Sequence, residues 1–184
     1  MTKKDNKVYS APFVNGQEPE LFHGQHNGVT PNLPYGLGNT AKNGCGWIAL
    51  YNALLLAGSY MKPVDVILEI IARRGLRLWG FFGTKSRAIA RIIRERGHKV
   101  NRRIFVKKSI NFDAIVRSSV TVILEYAWLF GGHYVTLRYD PDGKAGDYVV
   151  YSDTKDAVAG QRYLSINKWV KSKMLILSVI SVES

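Results

Sequence analysis

The chain has 184 residues, 46% of them hydrophobic and 22% charged, enough for one globular domain whose core needs no disulfide or metal staple. No apolar run reaches the roughly 18 residues that cross a bilayer, and the opening MTKKDNKVYSAPF has basic residues but no apolar signal core, so no membrane span and no secretory signal is expected. The net charge of +12 is concentrated, because Lys62 to Lys108 holds fourteen Lys and Arg against Asp65, Glu69 and Glu95.

Such a block predicts an electropositive patch that favours an acidic protein, an anionic membrane surface or nucleic acid. A single cysteine, Cys45, excludes an internal disulfide. That suits a cytoplasmic protein, or one exported without a signal peptide and without reliance on disulfides.

Residues 1–42 read as extended and loop-rich, with Pro12, Pro31, Pro34 and no sustained period. Residues 1–38 are set apart as an N-terminal arm ahead of a single domain, 39–184. The stretch 43-NGCGWIALYNALLLAG-58 predicts a helix over 45–58 whose apolar residues surround most of its circumference, hence a central, buried helix. Pro63 opens a second helix, roughly 63–74, with Val64, Ile67, Leu68 and Ile71 on one face. The segment 76-LRLWGFFG-83 predicts a connector or strand that buries its aromatics. Thr84 or Ser86 is the expected cap of a third helix, 85–96, with Ile89, Ile92 and Ile93 inward and Arg87, Arg91 and Arg94 outward.

Strands follow at 99–106 and 120–127, with a short helix at 111–118 between them. Next, 132-GHYVTLRY-139 and 147-DYVVYSD-153 flank the turn-rich 140-DPDGKAG-146, a hairpin with a long loop. The tail 173-KMLILSVIS-181 predicts a last strand. Helices first and an antiparallel sheet second predict an α+β fold.

Cys45 sits where a turn becomes a helix. There the unpaired N–H groups and the helix dipole favour a thiolate, and the same N–H groups suit an oxyanion. A base is needed. His23 and His26 fall in the loop-rich arm, and His98 ends the arginine-striped helix, where a helix C-terminus is reason enough for it. His133 starts a strand after Gly131-Gly132. If Tyr139 pairs with Asp147, the antiparallel register sets His133 opposite Asp153, with Cβ atoms roughly 4.5–5.5 Å apart. A carboxylate there would orient the imidazole toward the thiol. Asp140 and Asp156 are weaker candidates for that role. Asn39 and Asn43 carry amide donors for an oxyanion.

The order amide, Cys-Gly-helix, Gly-His-strand, Asp resembles the papain-like cysteine peptidase superfamily, and within it the small bacterial C39-like peptidases. The resemblance covers roughly residues 39–155. It implies a papain-like fold, with the nucleophile helix packed on the C-terminal sheet, and a cysteine peptidase with Cys45 as nucleophile, His133 as base, Asp153 as orienting residue and Asn39 at the oxyanion. The family usually has glutamine six residues before the cysteine, where this chain has Asn39.

The expected substrate is a peptide or isopeptide, an acidic one if the basic block draws it. A papain-like deamidase or acyltransferase, as in bacterial effectors and toxins, is the nearest alternative. An inactive basic module is another, with Arg87, Arg91, Arg94, Arg102, Arg103, Lys107 and Lys108 on phosphates and Trp79, Phe81 and Phe82 stacking on bases; nucleic acid is the less favoured partner. No Walker loop, His-Glu-x-x-His or paired Cys-x-x-Cys occurs, so no cofactor or metal is expected.

Overall fold

The structure, a computed structural model, describes residues 20–27, 30–80, 83–129, 131–143 and 145–183. In chain order its elements are β1 (Pro34–Tyr35), β2 (Gly38–Asn39), α1 (Thr40–Asn43), α2 (Cys45–Leu56), α3 (Pro63–Ala72), α4 (Ser86–Glu95), β3 (Lys99–Val106), α5 (Phe112–Arg117), β4 (Thr121–Trp128), β5 (Gly131–Tyr139), β6 (Tyr148–Tyr151), β7 (Gln161–Tyr163), α6 (Ile166–Lys171) and β8 (Leu175–Glu183). The fold is α+β. Six antiparallel strands run in the order β3-β8-β4-β5-β6-β7, so the C-terminal strand lies inside the sheet between β3 and β4. No helix among the described residues is long and apolar enough to cross a membrane.

Helix α2 is the centre, as its uniform apolarity requires. Every residue from Cys45 to Leu54 is buried. It packs with α3 and α4 against the sheet face that carries Ile123, Tyr134, Ile180 and Val182. The opposite face carries Val122, Leu124, Val135 and Leu137 and is covered by α5 and α6 through Phe112, Val116, Ile166 and Val170. The strict alternation of β4, with Val122 and Leu124 on one side and Ile123 on the other, is the period-2 consequence of a sheet buried on both faces.

The one fully buried polar side chain within α2 binds part of the arm. Asn52 Oδ1 accepts from Phe22 N–H at 2.9 Å, and its Nδ2 donates to Phe22 C=O at 2.7 Å. The Phe22 ring then packs edge-on to Trp47 and beside Tyr51. Leu33 and Tyr35 are core residues too. The described part of segment 1–38 is therefore built into the domain, where composition suggested a separate arm; two hydrogen bonds on one asparagine and a buried aromatic hold it there.

Two local expectations change. Thr84 does not cap α4. That position falls to Lys85, whose side chain makes no capping bond. Thr84 is fully buried, its Oγ1 paired with Tyr35 OH at 2.5 Å and its C=O accepting from Tyr134 OH at 2.9 Å. The segment 76–83 does not bury Trp79, which is 73% exposed in a 3-10 turn. Its backbone, not its ring, does the packing, with Trp79 C=O accepting from Leu37 N–H at 2.9 Å. Phe81 and Phe82 lie outside the described residues.

The basic block spans α3, α4 and β3. Arg87, Arg91 and Arg94 lie on the exposed face of α4, opposite Ile89, Ile92 and Ile93. Part of that charge is already answered: Glu95 accepts from both Arg73 and Arg91.

Gly46 lets α2 lie against Thr84. A Cβ there would come within 2.1 Å of Thr84 Oγ1 and 2.5 Å of Thr84 Cβ. Overpacking of this kind costs about 1–3 kcal/mol. Gly46→Ala is therefore expected to lower the urea midpoint by that equivalent. An unchanged midpoint would mean that α2 and Thr84 separate freely.

Candidate active site

Cys45 is the first residue of α2. The preceding Gly44 has an ordinary right-handed conformation, φ −80°, so backbone freedom is not why it is glycine. Space is the reason: a Cβ on Gly44 would lie 2.4 Å from Thr40 Cγ2 and 2.7 Å from Thr40 C=O. The two glycines flanking the thiol thus serve close packing, of α1 on one side and Thr84 on the other.

A cleft of about 540 Å3 opens over this helix start. Cys45 and Asn43 line it from the α1–α2 junction, Gln25 from the N-terminal segment, and His133 from the start of β5. Strand parity assigns His133 to the sheet face with Val135 and Leu137, away from α2. Gly131, Gly132, His133 and Tyr134 all line the cleft, so its lining includes consecutive residues of both strand parities.

The thiol is in a dry place. Burial pushes its pKa from 9.0 up to about 11; the backbone of Tyr134 and of Gly46 pulls the other way, Glu125 adds to the rise, and Lys155 opposes it. The thiolate that a helix start favours is outweighed here by desolvation. Hydrogen bonding from the Tyr134 backbone places the sulfur against the residue that directly follows His133.

His133 is also buried, and burial lowers its pKa, opposed by its bond to Ser152 and by the Asp153 charge. Its Nε2 lies 2.5 Å from the Ser152 C=O. A carbonyl only accepts, so Nε2 carries the hydrogen and Nδ1 of the neutral ring is the basic nitrogen.

The group that meets the imidazole Nε2 is therefore the Ser152 carbonyl, not the Asp153 carboxylate. The register explains the change. Tyr139 pairs with Tyr148, one residue from the expected Asp147, and the β5–β6 ladder ends at Thr136–Tyr151. Ser152 then leaves the strand with φ 63°. This left-handed turn aims its carbonyl at the imidazole. Asp153 faces another cluster, where its carboxylate accepts from Tyr163 OH at 2.7 Å, Trp169 Nε1 at 3.3 Å and Lys173 Nζ at 3.4 Å. The other two aspartates are held as well, Asp156 by His26 and Asp140 by Arg162.

Asn39 is not among the residues lining the cleft. It caps α1, with Oδ1 accepting from Lys42 N–H at 3.2 Å. The amide-bearing residues that do line the cleft are Asn43 and Gln25. Gln25 is 1% exposed and donates through Nε2 to Thr40 C=O at 2.7 Å. Nothing in the local pattern of 20-ELFHGQHN-27 marks it, because it reaches the cleft through the docking of its segment on α2. The remaining histidines lie elsewhere: His23 stacks on Tyr151, and His98 Nε2 lies 2.7 Å from Ser59 Oγ. Among the described residues no group of three or more His, Cys, Asp and Glu side chains could hold a metal ion.

Glu125 lines the same cleft; it is 2% exposed and bound to Arg77 Nη1 at 2.5 Å and Ser178 Oγ at 2.9 Å. No protein-family model matches the chain, and no curated protein matches it.

Two outcomes are expected. Asp153→Asn should cost about 1–3 kcal/mol by leaving Lys173 without its anion, read by urea denaturation. Loss of the imidazole's tautomer, read from 15N chemical shifts of His133, would restore the carboxylate to the orienting role. The raised thiol pKa means that the fold favours the protonated form. That stability is complete below about 9 and is lost as pH rises through about 11. Alkylation of Cys45 by iodoacetamide should accordingly keep accelerating to about pH 11. A plateau near 9 would show that the thiol is not desolvated.

Proposed function

We propose that the chain is a thiol hydrolase of papain-like design that cleaves a peptide or isopeptide bond. One observation carries the reading: a helix-start cysteine and a strand-start histidine line one cleft, and the histidine is held in the tautomer that leaves Nδ1 basic.

The resting pair is neutral, since burial raises the thiol and lowers the imidazole. The chemistry that suits it is general-base attack. As Cys45 Sγ bonds to the substrate carbonyl carbon, its proton passes to His133 Nδ1. Ser152 C=O keeps hold of Nε2–H and steadies the imidazolium that forms. The negative charge on the carbonyl oxygen is met by N–H donors at the start of α2 and by the amides of Gln25 and Asn43. Nδ1 then returns the proton to the departing amine as the C–N bond breaks, leaving a thioester. Water, deprotonated by Nδ1, attacks the thioester; the carboxylic acid leaves and the thiol regains its proton.

The test uses the full-length protein and a randomised library of internally quenched octapeptides read by mass spectrometry. Cys45→Ala and His133→Ala should each abolish Cys45-dependent cleavage while circular dichroism stays native. Losses from removing one member of such a unit run to about 10³-fold or more. Turnover that survives Cys45→Ala rejects the reading. Ammonia released from glutamine side chains without chain cleavage would transfer it to the deamidases, which share the same thioester.

A further inference from the structure

The wall of the cleft has a charge pattern that the chemistry above does not use. Its one acid among the described lining residues, Glu125, is already bound by Arg77, which lines the cleft beside it, and by Ser178. With Arg77 and Glu125 answering each other, the cations left on the lining are Lys42 and Lys155, both exposed. Lys155 is near enough to act electrostatically on both Cys45 and His133. Its backbone is fixed by the N-terminal segment, where Lys155 C=O accepts from His26 N–H at 3.0 Å.

The other wall is apolar and open. Trp128 and Leu129, at the β4–β5 turn, are 47% and 74% exposed and line the cleft. Gly131 makes room for the indole: a Cβ there would lie 2.9 Å from Trp128 Cζ2. Leu177 joins them through a β-bulge. Where Glu125 pairs with Ser178 and Tyr126 with Ile176, Leu177 is the extra residue on β8, and it lines the cleft. A bulge beside a site is a means of re-aiming one side chain. Contiguous exposed apolar groups beside a cleft are a common feature of binding surfaces.

We propose, on the basis of the thiol-hydrolase reading, that the cleft selects acidic peptide segments: a substrate carboxylate pairs with Lys155 beside the reacting carbonyl, and a neighbouring apolar side chain rests on Trp128, Leu129 and Leu177. Charge complementarity names the partner. A basic segment would place its cation against Lys42 and Lys155, while Glu125, the one acid among the described lining residues, is paired with Arg77.

The first experiment needs no turnover. Cys45 in the intact protein is alkylated in parallel with iodoacetate and iodoacetamide, which differ in charge, and the ratio of rates is compared with that of a free cysteine peptide. A focused positive field should raise the relative ratio by about tenfold. Salt at about 1 M, where the Debye length is near 3 Å, should remove most of the gain. Lys155→Glu should bring the ratio below that of the peptide, with Lys155→Gln between. A wild-type ratio equal to that of the peptide, unmoved by Lys155→Glu, overturns the proposal.

The second experiment is the octapeptide library. Wild-type cleavage should enrich Asp and Glu next to an apolar residue at the cut, and Lys155→Glu should turn that preference toward Lys and Arg. Trp128→Ala should raise KM for the apolar neighbour without changing the charge preference. Cys45-dependent cleavage indifferent to charge overturns the substrate class and leaves the hydrolase. A high iodoacetate ratio with no Cys45-dependent cleavage rejects the hydrolase and retains an anion-selective cleft.

Discussion

The constraint on which this structure depends is that α2 is apolar on all sides and must be enclosed on all sides. A helix with one apolar stripe can rest on a sheet and leave its back in water. This one cannot. The sheet covers one side, α3 and α4 cover others, and the segment around Phe22 closes what remains by pairing with Asn52. Full burial of each Ile or Leu contributes about 1.5–3 kcal/mol, so the helix is held firmly enough to fix the position of its first residue. That residue is Cys45.

Enclosure has a chemical consequence. The dryness that stabilises α2 also raises the thiol, and burial of the imidazole lowers it. Each group is kept in the form that carries no charge. Lys155 and Glu125 act on the thiol in opposite directions. For the proposed hydrolase, the entering carbonyl and the donors around it supply the bias toward the charged state.

Much of the fold was legible because it follows from periodicity. The all-round apolarity of 45–58, the proline at the start of 63–74, the two faces of 85–96 and the β-branched run at 120–127 each produced the expected element, to within two residues at either end. Misreadings came where a residue serves a distant partner. Thr84 looked like a cap and is a core hydrogen-bonding residue of Tyr35 and Tyr134. Trp79 looked buried because it is aromatic, and it is exposed because its backbone rather than its ring makes the contact. The short strand β7 and helix α6 have no counterpart in the sequence pattern, since three or six residues carry too little period.

From the amino-acid order alone came the α+β class, the helix start beneath Cys45 and the strand start beneath His133, because caps, glycines and alternation act over a few residues. Which groups meet those two side chains was decided by tertiary structure. A register shift of one residue and a left-handed Ser152 exchanged a carboxylate for a carbonyl behind the imidazole. Docking of the N-terminal segment brought Gln25 to the cleft while Asn39 was used as a cap. Such choices depend on how surfaces far apart in the chain fit together, and local patterns do not encode a fit.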